Sequence, residues 1–188
     1  RRDDDSLRAD ASKNRRMLLE TAQRLFIERG VDGVTMSQIA EAAGVGKGTL
    51  YRHFPNKVEL CETLLDDEQR AFQENTFAYL RQQPDPGEAL RWFVTEAIAF
   101  VERNLEMLGM HTQAAPLNHP AHLWWRQTVR GLLGQVRPAV PVLNEYDADA
   151  LYVLLDARTV RFQQQRGATP SQIRAGLNAL IDRLLAPL

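Results

Sequence analysis

The chain has 188 residues, 44% of them apolar and 25% charged, a balance that excludes a wholly disordered chain. Its one cysteine, Cys61, excludes an internal disulfide and a cysteine-based zinc site. The formal net charge of −1 argues against a surface that coats nucleic acid throughout. It conceals a division, since residues 13–57 carry 8 Lys+Arg against 4 Asp+Glu, and residues 58–188 carry 12 against 16.

No apolar run approaches the ~18–20 residues of a membrane span. The opening RRDDDSLRAD has no apolar segment behind its arginines, so it does not read as a secretory signal. The expected location is the cytoplasm. Leu (25) and Ala (22) outnumber Val (12) and Ile (5), which favours helices over strands. No run shows strict alternation, and the expected fold class is all-α with about nine helices.

Residues 1–12 read as a flexible, solvated arm. A first helix fits 13–29, where Leu18, Ala22, Leu25 and Phe26 share a face and Gly30 stands at C′. Thr35 and Gln38 have capping-box spacing and open a second helix that Gly44 stops. A third, short helix fits 47–53, with Leu50 and Phe54 inward and Pro55 beyond. Asn56 and Glu59 repeat the capping spacing ahead of a helix to about 82, with Cys61, Leu65, Phe72 and Tyr79 down one side. Cys61 therefore reads as a core residue.

Asp85-Pro86-Gly87-Glu88 starts the next helix, which is apolar nearly all round. Residues 105–118 give no clear pattern. Further helices fit 119–136, 147–165 and 170–185, the last opened by Thr169-Pro170 and striped with Ile173, Leu177, Leu180 and Leu184.

The chemistry concentrates at 36–53, where two short helices flank the turn Gly44-Val45-Gly46, a helix-turn-helix pattern. With Leu50 and Phe54 inward, the outer faces of the third helix hold Lys47, Thr49, Tyr51, Arg52 and His53, with no acid among them. Such side chains suit phosphate oxygens and base edges. Lys57 stands where the helix dipole would prefer an acid, so an external anion makes better sense of it.

The stretch TMSQIAEAAGVGKGTLYRHFPNKVEL at 35–60 resembles the DNA-binding motif of the TetR family of bacterial repressors. Thr35, Ile39, Ala40, Ala43, Gly44, Val45, Gly48, Leu50, Tyr51, His53, Phe54, Lys57 and Leu60 match its pattern. Gly46 departs from it, standing where the family usually has Ser or Thr. The resemblance implies a DNA-binding helix-turn-helix domain at 1–56, and an effector-binding and dimerisation domain at 57–188. It implies phosphate contacts by Tyr51, His53 and Lys57. Thr35 and Ser37 would lie near the backbone, and Lys47, Thr49 and Arg52 would read bases, with Gly48 permitting close approach. The partners implied are a double-stranded DNA operator, a small-molecule effector and a second copy of the chain.

Aromatic and Met residues crowd the middle of the chain. Trp92, Phe93, Phe100, Met110, His111 and Trp124 are the candidate lining of an effector cavity. Leu151, Leu155, Phe162, Ile173, Leu177, Leu180 and Leu184 are the candidate dimer interface. His111, His119 and His122 lack a supporting carboxylate set, so no metal is expected. With no catalytic constellation and no cofactor motif, the reading is a repressor released from a palindromic operator by an apolar or aromatic effector, not an enzyme. The alternative is a DNA-binding protein of the same fold without an effector.

Overall fold

The computed structural model describes residues 2–110 and 120–186. Among these the chain is all-helical, with ten helices. They are α1 (Arg2–Arg29), α2 (Met36–Ala42), α3 (Lys47–His53), α4 (Lys57–Leu80), α5 (Pro86–Arg103), α6 (Leu105–Leu108), α7 (Pro120–Val136), α8 (Pro141–Leu155), α9 (Ala157–Gln165) and α10 (Pro170–Leu185). No described helix is long and apolar enough to cross a membrane.

Three differences from the sequence reading have local causes. First, α1 runs back to Arg2, so the expected arm is helical; residues 2–12 contain Leu and Ala and no Gly or Pro to stop a helix. Second, the single helix expected over 147–165 is two. Asp156 is extended and its carboxylate accepts from the Arg158 amide at 2.8 Å, which ends α8 and caps α9. Third, α8 begins at Pro141 rather than at 147; at N1 the missing proline N–H is not needed.

The chain divides into two compact units, Arg1–Asp67 and Glu68–Leu188. The division falls inside α4 rather than at 56/57. The opening turns of α4 are tied into the first unit: the Lys57 ammonium lies 5.8 Å from the centre of the Phe26 ring, and Arg15 donates to Thr63 at 3.5 Å.

In the first unit, α1, α2 and α3 pack on one another around Leu18, Ala22, Leu25, Ile39, Leu50 and Phe54, each at most 2% exposed. In the second unit α5 is central and meets α7, α8, α9 and α10. Leu90, Phe93, Ala97 and Ile98 are buried along it. Gly87 packs near Leu185, Arg91 pairs with Asp182, and Arg174 pairs with Glu102 at 3.3 Å, fixing α10 along α5. Arg126 pairs with Glu145 and Asp149, Arg130 with Glu145, and Arg137 with Asp147, joining α7 to α8. The Arg130 guanidinium is the main group holding the Glu145 carboxyl below its ordinary range.

Candidate nucleic-acid interface

The Thr35 hydroxyl accepts from the Gln38 amide at 3.3 Å, and Gln38 Oε1 accepts from the Thr35 amide at 2.7 Å. This reciprocal pair starts α2 at the predicted residue. Gly44 then takes φ +68°, a left-handed conformation that side chains with a Cβ resist, and this reverses the chain within three residues of α3. Gly46 is the N-cap of α3 and supplies no side-chain bond, so the cap lacks the hydroxyl its position would otherwise offer.

Leu50 and Phe54 are buried, and they turn the remainder of α3 outward. Lys47 and Arg52 are exposed, and so is Tyr51 at 46%. Thr49 and His53 are half-buried. Arg52 donates to Thr49 at 3.1 Å, one turn back along the helix. Glu59, the acid nearest in sequence, is engaged by Asn56 at 2.9 and 3.0 Å in the cap of α4. A Cβ at Gly48 would meet nothing within 4 Å, so the protein's own packing does not require glycine there. Ser37 is half-buried in the first turn of α2. Arg15 stands 5.2 Å from the Phe54 ring centre, and Arg16 pairs with Glu20 at 3.6 Å, so both arginines have contacts inside the chain. The result is a short helix presenting a lysine, an arginine, a tyrosine and a threonine, with no acid on it.

Burial pushes the Cys61 thiol up to about 11, against an opposing pull from Lys57. An unfolded thiol ionises near pH 8.5. The folded chain therefore holds this proton more tightly. The stability that it contributes is intact below about pH 8.5 and is lost as pH rises toward 11. Iodoacetamide at pH 8 should leave the native thiol unmodified and label it only after denaturation; mass spectrometry of native samples showing rapid alkylation would contradict the burial.

The candidate effector residues separate in space. Phe72 of α4 stacks on Phe93 (5.4 Å between ring centres) and on Phe100 (6.0 Å), with Trp124 and Trp125 edge-on at 5.5 Å each. Phe93, Phe100 and Trp124 thus come together around a ring and a tryptophan absent from the candidate list. The even spacing of Phe72 on α4 was the available signal for the first. Trp92 does not join them. It faces the other way on α5 and stacks on Tyr79 at 4.3 Å. Met110 is half-buried beyond α6, and His111 lies outside the described residues.

The interface candidates also divide. Leu151, Leu155, Ile173 and Leu177 are 0–6% exposed within the single chain, so most of their surface lies in its own core, and Ile173 and Leu177 also reach the lining of the groove between α8, α9 and α10. Leu180 and Leu184 are half-buried, and Phe162 is 56% exposed. A groove of about 360 Å³ runs between α8, α9 and α10, walled by Leu154, Gln163, Ala168 and Leu180 with Gly176 among its lining.

A basic, acid-free helix set across a glycine turn from a capped partner, and braced by α1, defines a helix-turn-helix DNA-binding unit. Residues 18–64 match the sequence profile of bacterial regulatory proteins of the tetR family. An HTH-type transcriptional regulator of Staphylococcus aureus (strain USA300) is 49% identical over 55 residues, which are 29% of this chain. The match spans 30% of the length of that curated relative. A TetR-family transcriptional regulator from Pectobacterium atrosepticum is similar in fold, with a TM-score of 0.73 and 21% identity over 96% of this chain and 98% of that one. So is a transcriptional regulator from Saccharomonospora viridis in complex with choline, with a TM-score of 0.72 and 23% identity over 91% and 96% of the two chains.

Proposed function

We infer that the protein is a homodimeric transcriptional repressor, bound to a palindromic operator through α2 and α3 and released by a small, largely apolar or aromatic effector. The observation that carries the reading is the outer face of α3, where Lys47 and Tyr51 have no side-chain partner among the described residues and Arg52 touches only Thr49. A core function does not explain them; base edges and phosphates do. Lys57, half-buried over Phe26, is the phosphate contact at the start of α4. Exposed Phe162, half-buried Leu180 and Leu184, and the groove beside them support pairing of two copies. The aromatic centre of the second unit is the effector site, and the choline complex of the Saccharomonospora protein supports a small-molecule role for this fold. α4 runs through both compact units and is the natural lever between effector and operator.

Lys57→Ala should weaken binding to all DNA and flatten the dependence of log K on log salt by about 0.9. Arg52→Ala should cost about 1–3 kcal/mol on the preferred site and little on random DNA. An unchanged salt slope, or equal losses on both DNAs, would remove the respective assignment.

Gly48→Ala separates fold from function. No atom opposes the added methyl, and alanine is favoured over glycine within a helix by about 0.8–1.0 kcal/mol. The variant should melt higher yet bind operator more weakly, because the methyl stands between α3 and the groove floor. Full affinity in gel-shift titrations would show that α3 does not approach there.

A further inference from the structure

Two buried hydrogen-bonding groups on helices that flank the aromatic centre have no partner among the described residues. Trp125 donates its indole N–H to Gln69 Oε1 at 3.1 Å. That bond fixes the amide and leaves Gln69 Nε2 as a buried donor with no acceptor among the described residues. The Tyr152 hydroxyl is buried and unpartnered as well, in a side chain only 8% exposed. One turn of α7 links the two. His122 lies three residues before Trp125, on the same helix face, and its ring meets Tyr152 edge-on at 5.3 Å. Trp125 in turn packs on Phe72, Phe93 and Phe100.

A donor buried without a partner is unfavourable, and such groups in folded proteins call for an explanation. Both groups can donate: the amide nitrogen only donates, and the phenol donates through its O–H. Arg126 and Arg130, the arginines of α7, are already paired with acids of α8, so an anionic ligand would find no free arginine on that helix. Building on the effector reading above, we propose that the effector is a neutral aromatic molecule carrying a carbonyl-type acceptor, such as a ketone, ester or lactone. Its rings lie against the Phe72–Trp125 cluster, and its oxygen accepts from Gln69 Nε2 and the Tyr152 hydroxyl.

The test uses the full chain and a panel of mono- to tricyclic aromatic ketones, esters and lactones. Each is paired with the hydrocarbon of the same shape, and 2-acetylnaphthalene with 2-ethylnaphthalene is the reference pair. 2-Naphthoate supplies the charged acceptor. Binding is read by quenching of tryptophan fluorescence and by thermal shift. The carbonyl member should bind about tenfold more tightly than its hydrocarbon and than the carboxylate, the factor that one well-made hydrogen bond supplies. Tyr152→Phe should reduce that preference while leaving hydrocarbon affinity unchanged. Because Tyr152→Phe also removes an unpartnered buried hydroxyl, it should raise Tm by about 2–4 °C. Equal affinity for carbonyl and hydrocarbon members keeps the effector reading and overturns this one. Preference for the carboxylate overturns the neutral class. A Tyr152→Phe chain that melts lower with the preference intact makes the hydroxyl structural. Failure of the whole panel to bind overturns both the aromatic effector site and its polar complement.

Discussion

Phe72→Ala should destabilise the second unit by about 3–5 kcal/mol, the range for deleting a buried aromatic side chain. The ring is 6% exposed and has four aromatic neighbours within 6.0 Å, two stacked and two edge-on. Such pairs contribute beyond the area they bury, and four neighbours on two helices cannot all move into the space left behind. Urea unfolding followed by tryptophan fluorescence would report the loss, since Trp124 and Trp125 sit against the deleted ring. A change below about 1.5 kcal/mol would mean that the cluster collapses onto the gap and that the centre is more plastic than its stacking suggests.

Charging the candidate interface should have the largest effect on DNA. Phe162→Glu with Leu180→Glu places two carboxylates on side chains that are exposed or half-buried in one chain. Each chain should therefore remain helical by circular dichroism. Two copies should no longer associate, because closing the interface would bury charges without partners. A palindromic site is read by two linked half-site contacts, and losing that linkage should lower operator affinity by about 10²–10⁴-fold. Sedimentation would measure the first effect and operator titration the second. A variant that stays dimeric would move the interface elsewhere. Leu177→Glu is a poor test by comparison, because Leu177 is 5% exposed and its charge would disrupt the subunit itself.

The first unit was the more legible in sequence because its signals are local. Thr35 with Gln38, Gly44, and Asn56 with Glu59 each act over a few residues, and each stands in the structure as its spacing predicts. The second unit was read well where punctuation was equally local, as at Asp85-Pro86 and Thr169-Pro170. It was read less well where direction around a helix mattered. Trp92 and Phe93 are adjacent in sequence and look alike in composition, yet a rotation of about 100° sends one to Tyr79 and the other to Phe72. The stripe on α10 was visible, but Ile181, absent from it, is fully buried while Leu184 is half-buried. A stripe of leucines shows that a face is covered; it does not show whether the chain itself or a second copy covers it. Gln69 and Tyr152 carried no sequence signal, since their interest lies in having a buried polar atom without a partner among the described residues.

The ion-paired α7–α8 hairpin also bears on the order in which the second unit assembles. Its helices are joined by the short connection 137–140, and Asn144 donates to the Arg137 carbonyl at 2.8 Å across it. Bringing them together closes a small loop at little entropic cost, whereas α10 must find α5 across most of the unit. During refolding the hairpin should therefore gain protection from amide exchange early, and α10 should dock late. Until it does, the face of α5 around Gly87 and Arg91 stays uncovered, and that interval is when the chain is most exposed to aggregation and to proteases.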